Sequence, residues 1–230
     1  ISTAFTFSKS KILKEKPQIP GLPSSYGKGK TLELKYVDEP TKVALYIYYT
    51  VFEDNDVIAV SSKLFNASEK ELHIRRLASL QLDLLGDYSV VTFEGAFARE
   101  RQKVSRTLNK GVFYIDSKNG ASSHNRNPFV MAKGQDGVYA FNLVYSGNHK
   151  EIFEACESGK TRVLTGINDF PLDARAGRTI RHARSRGVFC ARRGRRIFRN
   201  ACVYRRTYCA RQVEKEGAPR SRQQLGGYAF

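Results

Sequence analysis

Few side chains in this 230-residue chain stand where nucleophile, acid or metal chemistry would need them. His124, in Ser122-Ser123-His124, is of a residue type that serves as a general base, yet neither a nucleophile nor an orienting acid can be assigned around it. A structural role, pinning a loop between strands, is the better reading. Glu53, Asp54 and Asp56 cluster three carboxylates that suit calcium, but they lack the alternating spacing of a calcium loop and read as a solvated hairpin turn. Asn66-Ala67-Ser68 is formally a glycosylation sequon without an accompanying secretion signal. Cys190, Cys202 and Cys209 with His182 contain neither a C-x-x-C nor an H-x-x-x-H spacing, so no metal is assigned to them. The run Arg192-Arg193-Gly194-Arg195-Arg196 has the guanidinium density that attracts polyanions. No residue is assigned as catalytic or metal-binding, and no cofactor motif is found.

Charge divides the chain near Phe170. Residues 1–170 hold 23 Lys+Arg against 19 Asp+Glu, a net +4, whereas residues 171–230 hold 15 Arg and 1 Lys against 3 acids, a net +13. An Arg-rich segment that loses its acids reads as a basic nucleic-acid-binding tail or as translation out of frame. With its clustered like charge and no sustained periodicity, it is expected to be largely disordered. There is no run of 18 apolar residues and no signal peptide. The start at Ile1 makes a fragment the expectation, and a cytoplasmic location is expected.

The elements that must position any site are strands. Val43 to Phe52 is β-branched and aromatic without Gly or Pro. Its odd positions (Val43, Leu45, Ile47, Tyr49, Val51) form an aliphatic face, and its even positions are amphipathic, as expected where the second face is only partly covered. Glu53 to Asp56 turns the chain into a returning strand over Val57 to Phe65. Leu72, Ile74, Leu80, Leu82 and Leu84 continue the alternation, and Val138 to Tyr145 is a further strand. Asn127-Pro128-Phe129 reads as a fixed turn with an apolar anchor. Short strands, frequent turns and no amphipathic helix predict an all-β, antiparallel β-sandwich.

Four stretches are more specific than strand chemistry requires. They are Tyr49 to Ile58, Gly95-Ala96-Phe97-Ala98-Arg99-Glu100-Arg101, Gly120 to Phe129, and Leu143 to Asn148 followed by Gly166-Ile167-Asn168. In this order they resemble the N-terminal β-sandwich (supersandwich) domain of bacterial α-galactosidases of glycoside hydrolase family 36, over roughly Phe5 to Phe170. Beyond that point the resemblance stops in the frame as written. Shifting the codons of Gly177 to Arg186 by one nucleotide can give D-E-Q-F-V-T-P-E-A-V, and shifting those of Gln212 to Phe230 can give K-W-R-K-K-E-R-P-V-L-V-N-N-W-E-A-T-L-F. Both resemble the family's approach to its catalytic barrel. Residues 171–230 are therefore read as frameshift-derived, and nucleic acid is not expected as a partner.

The resemblance implies that the parent protein hydrolyses terminal α-D-galactosyl residues of oligosaccharides such as melibiose and raffinose and is a homo-oligomer. Family members use two carboxylates of a (β/α)8 barrel, about 5 Å apart in a retaining enzyme. No residue here matches either one, so the fragment itself is expected to be inactive. Phe97 stands where the family typically carries Trp, an aromatic that the resemblance places at the sugar pocket. A flat ring can stack on a sugar's C–H face, although Phe lacks the indole N–H. Arg99 and Glu100 are expected to form a local ion pair. The alternative is a non-catalytic β-sandwich module that binds carbohydrate or another subunit.

Overall fold

A computed structural model of the chain describes residues 4–17, 28–52, 57–74, 76–120, 125–135, 137–169, 172–174 and 179–192, the last two ranges by backbone alone. The strands are β1 (Thr6–Leu13), β2 (Lys30–Asp38), β3 (Val43–Phe52), β4 (Val57–Asn66), β5 (Leu72–Ile74), β6 (Ala78–Leu85), β7 (Ser89–Ala96), β8 (Arg99–Thr107), β9 (Gly111–Asp116), β10 (Phe129–Lys133), β11 (Val138–Leu143), β12 (His149–Ala155), β13 (Lys160–Ile167), β14 (Leu172–Ala174) and β15 (Thr179–Arg192). All pairings among the described residues are antiparallel. They form a nine-stranded sheet in the order β1-β2-β3-β4-β15-β11-β10-β7-β8, a four-stranded sheet β6-β13-β12-β9, and the small pair β14-β5.

The two large sheets enclose one core. Val60, Val90, Val130, Ala132 and Phe141 face it from the nine-stranded sheet, and Leu80, Leu84, Ile115, Phe153 and Val163 from the four-stranded sheet. Phe141 and Phe153 are fully buried and meet edge-on at 6.2 Å, an arrangement that the ring quadrupoles favour. The four-stranded sheet is too narrow to cover its partner. β6 lies over β4 and β15, so β1, β2 and β3 project beyond it as a wing. The aliphatic face expected on β3 is buried at Val43, half-buried at Leu45, Ile47 and Tyr49, and exposed at Val51. Phe52, on the opposite face, is buried beneath the Lys16 ammonium.

Two boundaries differ from the sequence reading. β11 stops at Leu143 rather than Tyr145, because the Tyr145 amide turns back to the Leu143 carbonyl at 2.9 Å. Strand pairing also continues past Phe170. Leu172–Ala174 pairs with β5, and Thr179–Arg192 runs between β4 and β11, with a register shift between His182 and Gly187. Pairing of this kind is made by backbone groups, so a segment whose side-chain pattern is poor for a strand can still occupy a ladder position between two open edges. Residues 193–230 lie outside the described residues.

The sequon reads differently in space. Asn66 is fully buried, its Nδ2 donates to the Lys70 carbonyl at 2.8 Å, and its Oδ1 accepts from the Ser68 amide and hydroxyl at 3.0 and 2.7 Å. This is an Asx turn that closes β4, and it leaves the amide nitrogen no room for a glycan.

Candidate functional site

The strands bring three of the sequence's distinctive segments together near β7, β8 and β9, at sheet edges. β7 and β8 are joined by a two-residue turn, Phe97-Ala98, with Ala96 opposite Arg99. Ala98 and Arg101 both have φ of 60°, a left-handed conformation that side chains other than glycine's adopt sparingly. Gly95 is required by close approach, since a Cβ there would lie 2.5 Å from the Arg99 carbonyl oxygen and 2.7 Å from the Glu100 Cα. The result is a tight, bulged hairpin that holds Phe97 at its tip, 90 % exposed. Arg99 and Glu100 are both exposed and make no ion pair with each other among the described residues; adjacent strand residues point to opposite faces.

Beside the hairpin lies an open groove of about 940 Å3, lined by Glu94, Gly95, Gln102, Tyr114, Asp116 and Arg126 among others. One wall is the segment before β10. Asn125 accepts from the Gly95 amide at 3.2 Å, the Asn127 amide donates to Phe93 at 3.0 Å, and Glu94 and Arg126 form an isolated antiparallel bridge. The side chains strengthen this backbone splice. Glu94 accepts from Arg106 at 2.5 Å and from the Thr92 hydroxyl at 2.9 Å, and it also pairs with Arg126. Those donors, Arg106 first, hold its carboxyl down to about 2 against the opposing effect of burial. The expected Asn127-Pro128-Phe129 turn is present: the Asn127 Oδ1 accepts from the Phe129 amide at 3.0 Å, and Phe129 packs on Phe93 at 5.7 Å.

Beneath the groove lies a pair that the sequence reading did not single out. His149 and Glu151, at alternate positions on β12, are both fully buried, with Nδ1 and Oε2 2.8 Å apart. His149 Nε2 donates to the Arg126 carbonyl at 3.1 Å. With Nε2 committed as donor, one proton lies between Nδ1 and Oε2, and the ring is locked in orientation. Burial pulls the His149 pKa down, but the Glu151 carboxylate, the Arg126 carbonyl and Asp116 outweigh it and leave the imidazole above its ordinary value. Burial raises the Glu151 pKa against the pull of His149. The alternation His149-x-Glu151 was the available signal, since a strand puts both on one face.

Further hydrogen bonds tie the remaining segments together. Asn148 Oδ1 accepts from the Gly120 amide at 2.6 Å, and its carbonyl accepts from the Asn168 amide at 3.2 Å. Asn168 Nδ2 donates to Asp116 and to the Ser117 carbonyl, both at 3.0 Å. Asp169 then takes a bidentate Arg76 at 2.7 and 2.9 Å together with Lys150 at 2.7 Å. Three of the four distinctive stretches thus meet here, while Tyr49 to Ile58 belongs to the wing. His124 and the carboxylates at 53, 54 and 56 lie outside the described residues, as do Cys202 and Cys209. Backbone alone is described for His182 and Cys190, and no cluster fit for a metal occurs among the described residues. No described helix is long and apolar enough to cross a membrane.

Residues 1–175 match the family model of the glycosyl hydrolase family 36 N-terminal domain. The chain is 34 % identical over 175 residues to alpha-galactosidase Mel36A of Lactobacillus acidophilus, covering 71 % of this chain and 24 % of that protein. It is 35 % identical over 179 residues to alpha-galactosidase AgaA of Geobacillus stearothermophilus, covering 73 % and 25 %. The crystal structure of AgaA superposes with a TM-score of 0.79 at 31 % identity, over 84 % of this chain and 28 % of that one. AgaA variants have been crystallised with stachyose and with raffinose. The chain spans about a quarter of the length of these relatives.

Proposed function

The chain belongs to the glycosyl hydrolase family 36 N-terminal domain family, and from that premise we propose that it is the non-catalytic sandwich portion of an α-galactosidase. The intact enzyme removes terminal α-D-galactosyl residues from oligosaccharides such as melibiose and raffinose, as a homo-oligomer in the cytoplasm, with no nucleic acid or membrane partner. The observation that carries this reading is the match over residues 1–175 to an N-terminal domain that makes up about a quarter of its relatives' length. Phe97 serves the sugar site by offering an unobstructed ring face for stacking on galactosyl C–H groups. The Glu94–Arg126 splice and the His149–Glu151 pair hold its hairpin in place. Residues 171–230 are read out of frame, and resequencing the DNA around Phe170 tests that directly.

The purified chain should not turn over p-nitrophenyl α-galactoside; activity that survives repurification would overturn the assignment. In a hybrid in which residues 1–175 replace the equivalent part of AgaA, Phe97→Ala should lower kcat/KM roughly tenfold, the scale of one lost stacking contact. An unchanged value would remove Phe97 from the sugar site. The groove supports a second reading, a carbohydrate-binding module, which calorimetry of the isolated chain with raffinose distinguishes.

A further inference from the structure

The imidazole of His149 stands between two acceptors: Glu151 Oε2 lies 2.8 Å from Nδ1, and the Arg126 carbonyl lies 3.1 Å from Nε2. A neutral imidazole carries a single N–H and can donate to only one of them. Satisfying both takes the extra proton shared between Nδ1 and Oε2. The surroundings supply no substitute for it. Glu151 is fully buried, and its other oxygen, Oε1, has no hydrogen-bond partner among the described residues. Its register partners, Ile115 on β9 and Thr165 on β13, carry no charge, and Ile167 opposite His149 carries none either. Asp116 on β9 is a second anion acting on the pair. Glu94 on β7 is engaged by Arg106 and Arg126, and the Lys150 ammonium is bonded to Asp169. Among the described residues, His149 is thus the cation placed to offset the Glu151 carboxylate.

We propose that His149 and Glu151 form a proton-dependent latch on the wall of the groove: with the shared proton the imidazole holds the Arg126 carbonyl, and without it the imidazole keeps Glu151 and releases the carbonyl. In that step one proton passes to solvent. The Nε2–H is lost, the Nδ1–H is kept, and the pair goes from neutral to singly negative. Glu151 wins the remaining N–H because a charge-assisted hydrogen bond is roughly twice as strong as a neutral one. A buried carboxylate left facing the Nδ1 lone pair would be the costlier arrangement. Both groups hold the proton above their ordinary values, so release falls on the alkaline side of the ordinary histidine value, about 6.5. The carbonyl belongs to the segment that walls the groove, where the Gly95 amide donates to Asn125, the Asn127 amide donates to Phe93, and Glu94 and Arg126 form their bridge. Releasing it loosens that wall and the hairpin beside it. The Glu94–Arg126 ion pair persists, since the Glu94 carboxyl is held down to about 2. The proposal stands independently of the galactosidase reading.

Nitrogen-15 NMR of the full 230-residue chain reads the latch directly. As pH is raised from about 5.5 to about 8.5, the His149 Nε2 resonance should move to the position of an unprotonated ring nitrogen while Nδ1 keeps that of a protonated one. Over the same range the backbone order parameters of Gly95 and Asn127 should fall from the rigid value of about 0.85 toward about 0.6, while Phe153 on β12 stays rigid. In Glu151→Gln the introduced amide donates to Nδ1, so Nε2 keeps its proton and its carbonyl throughout the range. The order parameters of Gly95 and Asn127 should then be independent of pH. An unmodified chain in which Nε2 stays protonated throughout overturns the proposal, and so does one in which Gly95 and Asn127 stay as rigid as Phe153. Both are read without any substitution, so they decide the matter even if the variant fails to fold. A folded variant that keeps the original pH dependence overturns it as well.

Discussion

The covered half of the nine-stranded sheet and its uncovered wing are built from the same kind of strand, yet they play different energetic parts. Val60 on β4 and Leu32 on β2 share a row two strands apart, but Val60 is 2 % exposed and Leu32 38 %. Nothing in their residue type separates them. The difference is whether a second layer lies above. Apolar area removed from water stabilises by roughly 25 cal/mol per Å2, so identical alternation yields a core in one place and a partly exposed apolar face in the other.

The largest test of this contrast is Phe153→Ala in the covered half. It should cost about 3–5 kcal/mol in denaturant unfolding, since a fully buried ring leaves a cavity against Phe141. A loss below about 1 kcal/mol would mean that the two sheets do not form one core. Next comes Glu151→Ala, which strands the buried His149 Nδ1 without its partner and should cost about 2–3 kcal/mol. Glu151→Gln, which can still hydrogen-bond to Nδ1, should recover part of this.

The two charged clusters respond to pH in opposite directions. Glu94 is held down to about 2 by Arg106, so its contribution is complete above about 4.5 and is lost as pH falls toward 2. Glu94→Gln should remove that acid-side loss and lower stability at neutral pH by on the order of 1–2 kcal/mol, given that its arginine partners are partly solvated. For His149 and Glu151 both shifts run upward, so the folded state holds the pair's proton more tightly than the unfolded chain does. Stability should therefore decline as pH rises above about 6.5, and Glu151→Gln should flatten that decline. An identical pH profile in that variant would remove the pair from the account.

The smallest stability effects belong to exposed positions. Leu32→Ala in the wing should cost under about 1 kcal/mol in the dilute chain, a fraction of the Phe153 effect. Phe97→Ala should leave the melting temperature unchanged while altering only what the hairpin can bind. A cooperative loss of stability there would show that the ring packs on the domain rather than standing free of it.

Much of the strand architecture was legible locally. Val43 to Phe52 emerged with the expected limits because β-branched and aromatic runs without Gly or Pro favour the extended backbone, and its partner differed by one residue at Asn66. The Asn127-Pro128-Phe129 turn was equally local, an Asx contact over two residues. The His149–Glu151 pair was missed because its meaning depends on a carbonyl at Arg126, 23 residues away, and on complete burial. β15 was missed for a related reason: its place is defined by the open edges of β4 and β11, which no side-chain pattern within Thr179 to Arg192 announces.

By itself the sequence determined the alternation, the turns, the all-β class and the family, because strand propensity, glycine placement and motif spacing are properties of neighbouring residues. Only the tertiary structure decided which alternating face becomes core, which carboxylate is pulled down to about 2, and which histidine is locked to a distant carbonyl. Each of those outcomes depends on what packs above or beside a residue. In a sandwich, that neighbour comes from another sheet and from far along the chain.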